Sequence, residues 1–131
     1  MDKVKQGHEN LEWGQEAEQL AADYLYSKGY VICERNWRCG NSIEIDIIAR
    51  KDTVVAFVEV KARKGDNQQP LEAVNRKKRT KMVRGADIYM ERFPFPYEYR
   101  FDIITVTGTR EDYTMEHLED AFIPGVNGEI R

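Results

Sequence analysis

The chain has 131 residues, 41% of them apolar and 33% charged, with a formal net charge of −3. That length suits one hydrophobic core and not two, and the acidic balance argues against a generally basic nucleic-acid binder. No apolar run reaches the roughly 18 residues that a membrane span needs, and MDKVKQGHEN has no secretory apolar segment, so a cytoplasmic, membrane-free protein is expected.

In chain order, Trp13, Ala17, Leu20, Ala21, Tyr24 and Leu25 recur at helical spacing. They predict an amphipathic helix over 11–28, with Asn10 as N-cap and Gly29 as stop. Glu18 lies about 60° from the centre of that apolar stripe at Ala21, and Glu16 about 140° away. Glu18 therefore borders the buried face, and Glu16 should face solvent. Three strands follow at about 30–38, 43–50 and 54–62, with turn material at Gly40-Asn41 and Lys51-Asp52, and should form an antiparallel meander. After the polar loop GDNQQ, Pro70 at a helix N1 position opens a second helix to about Arg92. Leu71, Val74, Met82, Ala86 and Tyr89 are its stripe, and Pro94 and Pro96 lie beyond its end. A fourth strand at 99–107 and a short fifth at 113–118 complete the order αβββαβ(β). The expected fold is an α/β (α+β) domain over 1–131, a mixed sheet flanked by helices, with its core at about 11–122 and a polar tail at 124–131.

Cys33 and Cys39, the only cysteines, would lie about 20 Å apart on one strand, too far for a disulfide. No Cys-x-x-Cys pair joins them to His8 or His117 as a zinc site. The net charge averages unlike blocks. Residues 60–92 hold ten Lys or Arg against four acids, whereas 1–34 and 111–131 are acidic, so a basic patch is compatible with the acidic total.

The stretch IEIDIIARKDTVVAFVEVKAR, residues 43–63, places Glu44, Asp46, Glu59 and Lys61 inside two otherwise apolar strands. Alternation puts Ile43, Ile45 and Ile47 on one face with Glu44 and Asp46 on the other, and groups Val55, Phe57, Glu59 and Lys61 on the next strand. A two-residue turn at Asp52-Thr53 sets Asp46 opposite Glu59 and Glu44 opposite Lys61; a slip of one residue would separate them. Carboxylates about 5 Å apart repel by about 3 kcal/mol at an effective dielectric near 20, so a cation is wanted. Lys61 could supply it in a partly buried ion-pair network. Alternatively a divalent ion such as Mg²⁺ lies between Asp46 and Glu59, with Glu18 reaching it from the helix. Arg76, Lys77, Lys78, Arg79, Lys81 and Arg84, with Arg63 and Lys64 just beyond the strand, form a cationic cluster suited to phosphates, or else a solvated helix face. Trp37 either contacts nucleic acid or packs in the core, and Asp102 is a charged residue outside the site.

The segments AEQLAADYLYSKGY, RNWRC, EIDIIA, FVEVKAR, EAVNRKK and YRFDIITV, in that order within roughly residues 14–122, resemble the YraN family of uncharacterised bacterial proteins. Asp46, then Glu59-Val60-Lys61 on the next strand, with the helical Glu18 before them, is similar to the PD-(D/E)XK nuclease superfamily; the YraN family is considered similar in fold to Holliday-junction resolvases. The chain departs from the family at Ile43, where Gly is common, and at Ala62, where Thr is frequent. The resemblance implies a restriction-endonuclease-like fold and phosphodiester hydrolysis dependent on Mg²⁺ (or Mn²⁺). It would make Asp46, Glu59, the Val60 carbonyl and Glu18 metal ligands, and Asp46, Glu59, Lys61 and Glu18 the catalytic set. The expected partner is nucleic acid, DNA ahead of RNA, held by Arg63, Lys64 and the basic helix, and a homodimer is a further expectation. A non-catalytic nucleic-acid-binding module on this fold and a plain structural or protein-interaction domain are the alternatives.

Overall fold

The computed structural model describes residues 3–65, 76–93 and 97–122. The first helix, α1 (Lys3–Ser27), begins well before residue 11. Lys3, Lys5, Gln6 and Glu9 are good helix formers. The helix therefore runs through a polar stretch without apolar periodicity, and Asn10 lies inside it instead of capping it. At its other end the Tyr30 amide donates to the Leu25 carbonyl and the Gly29 amide to the Tyr26 carbonyl, each at 3.0 Å. This is a Schellman turn, and Gly29 takes the left-handed position at φ +95°.

The remaining elements are β1 (Val31–Cys39), β2 (Ile43–Lys51), β3 (Val54–Arg63), α2 (Arg76–Met90), β4 (Glu98–Thr109) and β5 (Asp112–Phe122). The strands form one mixed sheet in the order β1-β2-β3-β4-β5, in which only β3 and β4 are parallel. Parallel neighbours need a crossover, and α2 lies in it. The meander of the first three strands matches its sequence pattern. β5 is longer than expected: a register shift opposite Phe101–Ile103 absorbs the turn-like Glu119-Asp120, and the strand resumes at buried Ala121 and Phe122. Helix α2 ends at Met90, two residues short of Arg92. Its expected start at Pro70, the stripe positions Leu71 and Val74, residues 66–69 of the loop, Pro94, Pro96 and the tail 124–131 lie outside the described residues.

Each face of the sheet carries its own core. Trp13, Ala17, Ala21 and Leu25 of α1 pack on Ile47, Ala49, Ala56, Val58, Ile104 and Val106. Met82, Ala86 and Tyr89 of α2 pack on Ile45, Ile48, Val55, Phe57, Phe101 and Ile103. Cys33 and Cys39 are free thiols, and no described helix is long and apolar enough to cross a membrane.

Candidate metal and nucleic-acid site

β2 and β3 pair from Lys51↔Val54 to Ile47↔Val58, the register that a two-residue turn at Asp52-Thr53 dictates. Asp52 carries the turn at φ +53°, a conformation that Asp tolerates. The ladder stops there. Beyond it, β2 abandons simple alternation: Ile43 and Ile45 reach toward Gly85 of α2, whereas Ile47 packs under α1. The common face expected for Ile43, Ile45 and Ile47 is therefore broken at Asp46. On β1, Asn36 stands at φ +50° between the pairs Arg35↔Ile47 and Trp37↔Ile45, so both strands are irregular at this level.

The kink turns the Asp46 side chain toward β3. Its Oδ2 accepts the Val60 amide at 2.9 Å, taking the place of a strand carbonyl. In an extended strand the N–H and C=O of one residue point the same way, so the Val60 carbonyl faces the same gap. Glu59, only 2% exposed, points toward α2, where Lys78 Nζ forms an ion pair with its Oε1. Glu59 Oε2 is buried without a hydrogen-bond partner among the described residues, and so is Glu18 Oε1 on α1. Burial and then the charge of Asp46 push Glu59 up to about 7, against the lowering pull of Lys78 and, more weakly, Lys61. Asp46 is raised by burial, opposed by the Val60 amide and Lys78. Glu18 is raised by burial and then by Asp46, opposed by Arg35 and Asn36. Three carboxyl groups on α1, β2 and β3 thus share one electrostatic neighbourhood.

The cation beside these acids is Lys78. Burial would lower its pKa, but the charge of Glu59 and their hydrogen bond outweigh that and raise it. The sequence puts Lys78 in the cationic cluster and points to Lys61 as the balancing cation; Lys61 lies half-buried on β3. Lys78 is four residues before the buried Met82, so the helical period already aims it at the sheet. Glu44 does not face Lys61, because the ladder ends first; it pairs with Arg38 at 3.5 Å. Trp37 packs edge-on against Tyr89 with centroids 5.4 Å apart, as a core aromatic.

An open cavity of about 400 Å³ is lined by Ser42, Glu44, Asp46, Lys77, Lys78 and Lys81. Its floor is acidic and its wall is lysine. Of the remaining basic candidates, Arg76 and Arg84 are exposed on α2 and Arg79 is half-buried. Arg63 accepts the Trp13 indole N–H on its carbonyl at 3.2 Å. Lys64 lines a separate cavity of about 560 Å³ with Trp13, Glu16 and Arg110. Glu16 is 40% exposed and pairs with Arg110 at 3.6 Å. Lys77, Lys78 and Lys81 thus border one cavity and Lys64 another.

Asp46, Glu59, Glu18 and the Val60 carbonyl are oxygen donors, the class that Mg²⁺ and Mn²⁺ prefer. Buried carboxylate oxygens without donors, at Glu59 and Glu18, are what a cation site presents. Among the described residues, no group of three or more His, Cys, Asp or Glu side chains is gathered to hold an ion unaided. The set thus fits a site of two carboxylates, Asp46 and Glu59. The Val60 carbonyl, water and substrate would fill the other positions, and Glu18 would join through water.

A second buried network, which sequence reasoning left without a role, lies in β4 and β5. Asp102 is fully buried and accepts Arg100 Nε at 2.9 Å, His117 Nε2 at 2.8 Å and the Asp120 amide at 3.0 Å. Burial alone would raise Asp102, but His117 and Arg100 hold it below the usual carboxylate range. His117 bridges β4 and α1, with Nε2 at 2.8 Å from Asp102 Oδ2 and Nδ1 at 3.1 Å from the Tyr24 hydroxyl. The network ties α1 to the sheet edge.

Residues 17–106 match the family model for the uncharacterised protein family UPF0102. A UPF0102 protein of Phocaeicola vulgatus is 41% identical over 119 residues, covering 90% of this chain and 98% of its own. One from Bacteroides thetaiotaomicron is 43% identical over 117 residues, covering 88% and 96%. One from Thermodesulfovibrio yellowstonii is 40% identical over 113 residues, covering 86% and 96%.

Proposed function

This chain belongs to the uncharacterised UPF0102 family, whose name prescribes no reaction, and from its site we propose a metal-dependent endonuclease that hydrolyses phosphodiesters, structure-selective on DNA. The observation that carries this reading is half-buried Asp46, lining a lysine-walled cavity, within electrostatic reach of the buried Glu59 that Lys78 of that cavity wall pairs with. Nearby buried carboxylates are costly in a domain of marginal stability. A structural role would be served as well by apolar residues.

Mg²⁺ or Mn²⁺ would be held by Asp46, Glu59 and the Val60 carbonyl, with Glu18 through water. When bound, such an ion polarises a phosphoryl oxygen and lowers the pKa of an attacking water. The Val60 amide fixes Asp46 through Oδ2, which orients the carboxylate without using Oδ1. Lys61, on the same face of β3 as Glu59, holds the attacking water and offsets the negative charge that develops on the phosphoryl group. Lys77 and Lys81 on the cavity wall bind backbone phosphates, which positions the strand without reading its sequence.

The Lys78–Glu59 pair favours a second reading, a nucleic-acid-binding module whose metal position is filled by a lysine for good. A cleavage panel over duplex, flapped, branched and single-stranded DNA and the matching RNAs separates the two. The endonuclease reading expects products in Mg²⁺ or Mn²⁺ that disappear with Asp46→Ala and with Lys61→Ala. Salt-sensitive binding without products in any metal would support the binding module. Equal cleavage by the parent and both variants would point to a contaminant and end the endonuclease reading.

A further inference from the structure

Among the described residues, Lys78 is the cation that the structure pairs directly with Glu59. Its Nζ bonds Oε1 of Glu59, a side chain 2% exposed, while Lys78 itself is 42% exposed. Glu59 Oε2, on the same carboxylate, is buried with no partner among the described residues. The pair is therefore asymmetric: Glu59 cannot leave, because it is anchored in the middle of β3, whereas Lys78 sits on a flexible four-carbon stem at the cavity mouth. The charge of Asp46 also acts on Lys78. One ammonium thus offsets two acids, and it does so from the wall of the cavity that Lys77 and Lys81 share.

Resting on the reading of this site as a divalent-metal site, we infer that Lys78 is a built-in competitor for the metal position and is handed over to substrate phosphate when metal binds. A divalent ion taken up at the partnerless Glu59 Oε2 would lie within about 5 Å of the ammonium on Oε1 of the same carboxylate and repel it strongly. Loading the metal therefore displaces Lys78 Nζ, and the stem length lets it turn outward beside Lys77 and Lys81. Two consequences follow from one lysine. In the metal-free site the ion pair offsets part of the negative charge, and the apparent metal affinity is reduced by the free energy of that pair. Metal and nucleic acid also bind cooperatively, because each stabilises the arrangement in which Lys78 has left Glu59, and such coupling is reciprocal.

The test is isothermal titration of full-length protein with Mn²⁺ at pH 8.5, comparing the parent, Lys78→Met, Lys78→Arg and Asp46→Ala. Met keeps the stem and removes the charge, and Arg keeps the charge should Met perturb folding. The expected result is Mn²⁺ binding about tenfold tighter in Lys78→Met, close to parental in Lys78→Arg, and lost in Asp46→Ala; a tenfold change is about 1.4 kcal/mol. In parallel, fluorescence anisotropy with a branched DNA and Ca²⁺ should show the metal strengthening DNA binding by the parent more than it strengthens binding by Lys78→Met; equal strengthening in both would overturn the handover of Lys78 to phosphate. Equal or weaker Mn²⁺ binding in Lys78→Met, with Asp46→Ala still abolishing it, would overturn the competition while leaving the metal site standing. No Mn²⁺ binding by the parent or by Lys78→Met would overturn both.

Discussion

Glu59 should make the stability of the metal-free protein fall as pH rises, which is the opposite of ordinary carboxylate behaviour. Its carboxyl is pushed from 4.5 up to about 7 in the folded protein. Between those values the folded state keeps a proton that the unfolded state has released, so the folded state binds more protons and stability declines with increasing pH. The loss begins near pH 4.5, is complete a little above pH 7, and amounts to about 3 kcal/mol at about 1.4 kcal/mol per pKa unit. In a domain of this size that corresponds to a melting temperature lower by about 10 °C. Asp46 and Glu18 are raised as well and act in the same direction. Asp102 is lowered, and its contribution is lost only at more acid pH, outside this window. Urea unfolding in chelator-treated buffer at pH 5, 6, 7 and 8 measures the slope. Glu59→Gln should flatten it, and millimolar Mn²⁺ should restore stability more at pH 8 than at pH 5. A parent protein that gains stability from pH 5 to 7, or a Glu59→Gln variant with the parental slope, would refute the reasoning.

Other consequences can be measured separately. Asp102→Ala removes the acceptor for Arg100, His117 and the Asp120 amide and leaves a half-buried guanidinium with only Tyr30 and Glu119, so chemical unfolding should show a loss of about 3 kcal/mol. Gly85→Ala places a methyl 2.8 Å from Ile43 Cγ2 and 3.1 Å from Ile45 Cδ1, and should cost about 1–3 kcal/mol by the same measurement, since α2 must move away from β2. Lys77→Gln with Lys81→Gln should weaken DNA binding alike across sequences and reduce the slope of log affinity against log salt by about 1–2, read by anisotropy from 50 to 200 mM salt.

The parts of the site that follow from local rules were legible in the sequence. The β2–β3 register follows from the short turn at Asp52-Thr53 and the alternation through Val58, and the ladder carries it as far as Ile47 and Val58, the residues next to Asp46 and Glu59. Glu18 was placed by its angle to the apolar stripe of α1, and the structure sets it in the same electrostatic neighbourhood as Asp46. The parity break at Asp46 was hidden because it involves Asn36 on another strand, whose positive φ no period announces. Lys78 was missed for a different reason. A stripe drawn from apolar residues alone leaves out a lysine at the core-facing period, although counting back from Met82 reaches it. The network at Asp102 needs His117 from the next strand and a β5 irregularity that delivers the Asp120 amide, contacts that composition and periodicity do not encode.

The central claim is that Asp46 and Glu59 hold a divalent ion, and anomalous scattering from crystals soaked in Mn²⁺ tests it most directly. A peak about 2.1 Å from oxygens of both carboxylates and of the Val60 carbonyl, with Lys78 Nζ withdrawn from Glu59, is the predicted result. A map with no peak between Asp46 and Glu59, and Lys78 still bonded to Glu59 at saturating Mn²⁺, would contradict it.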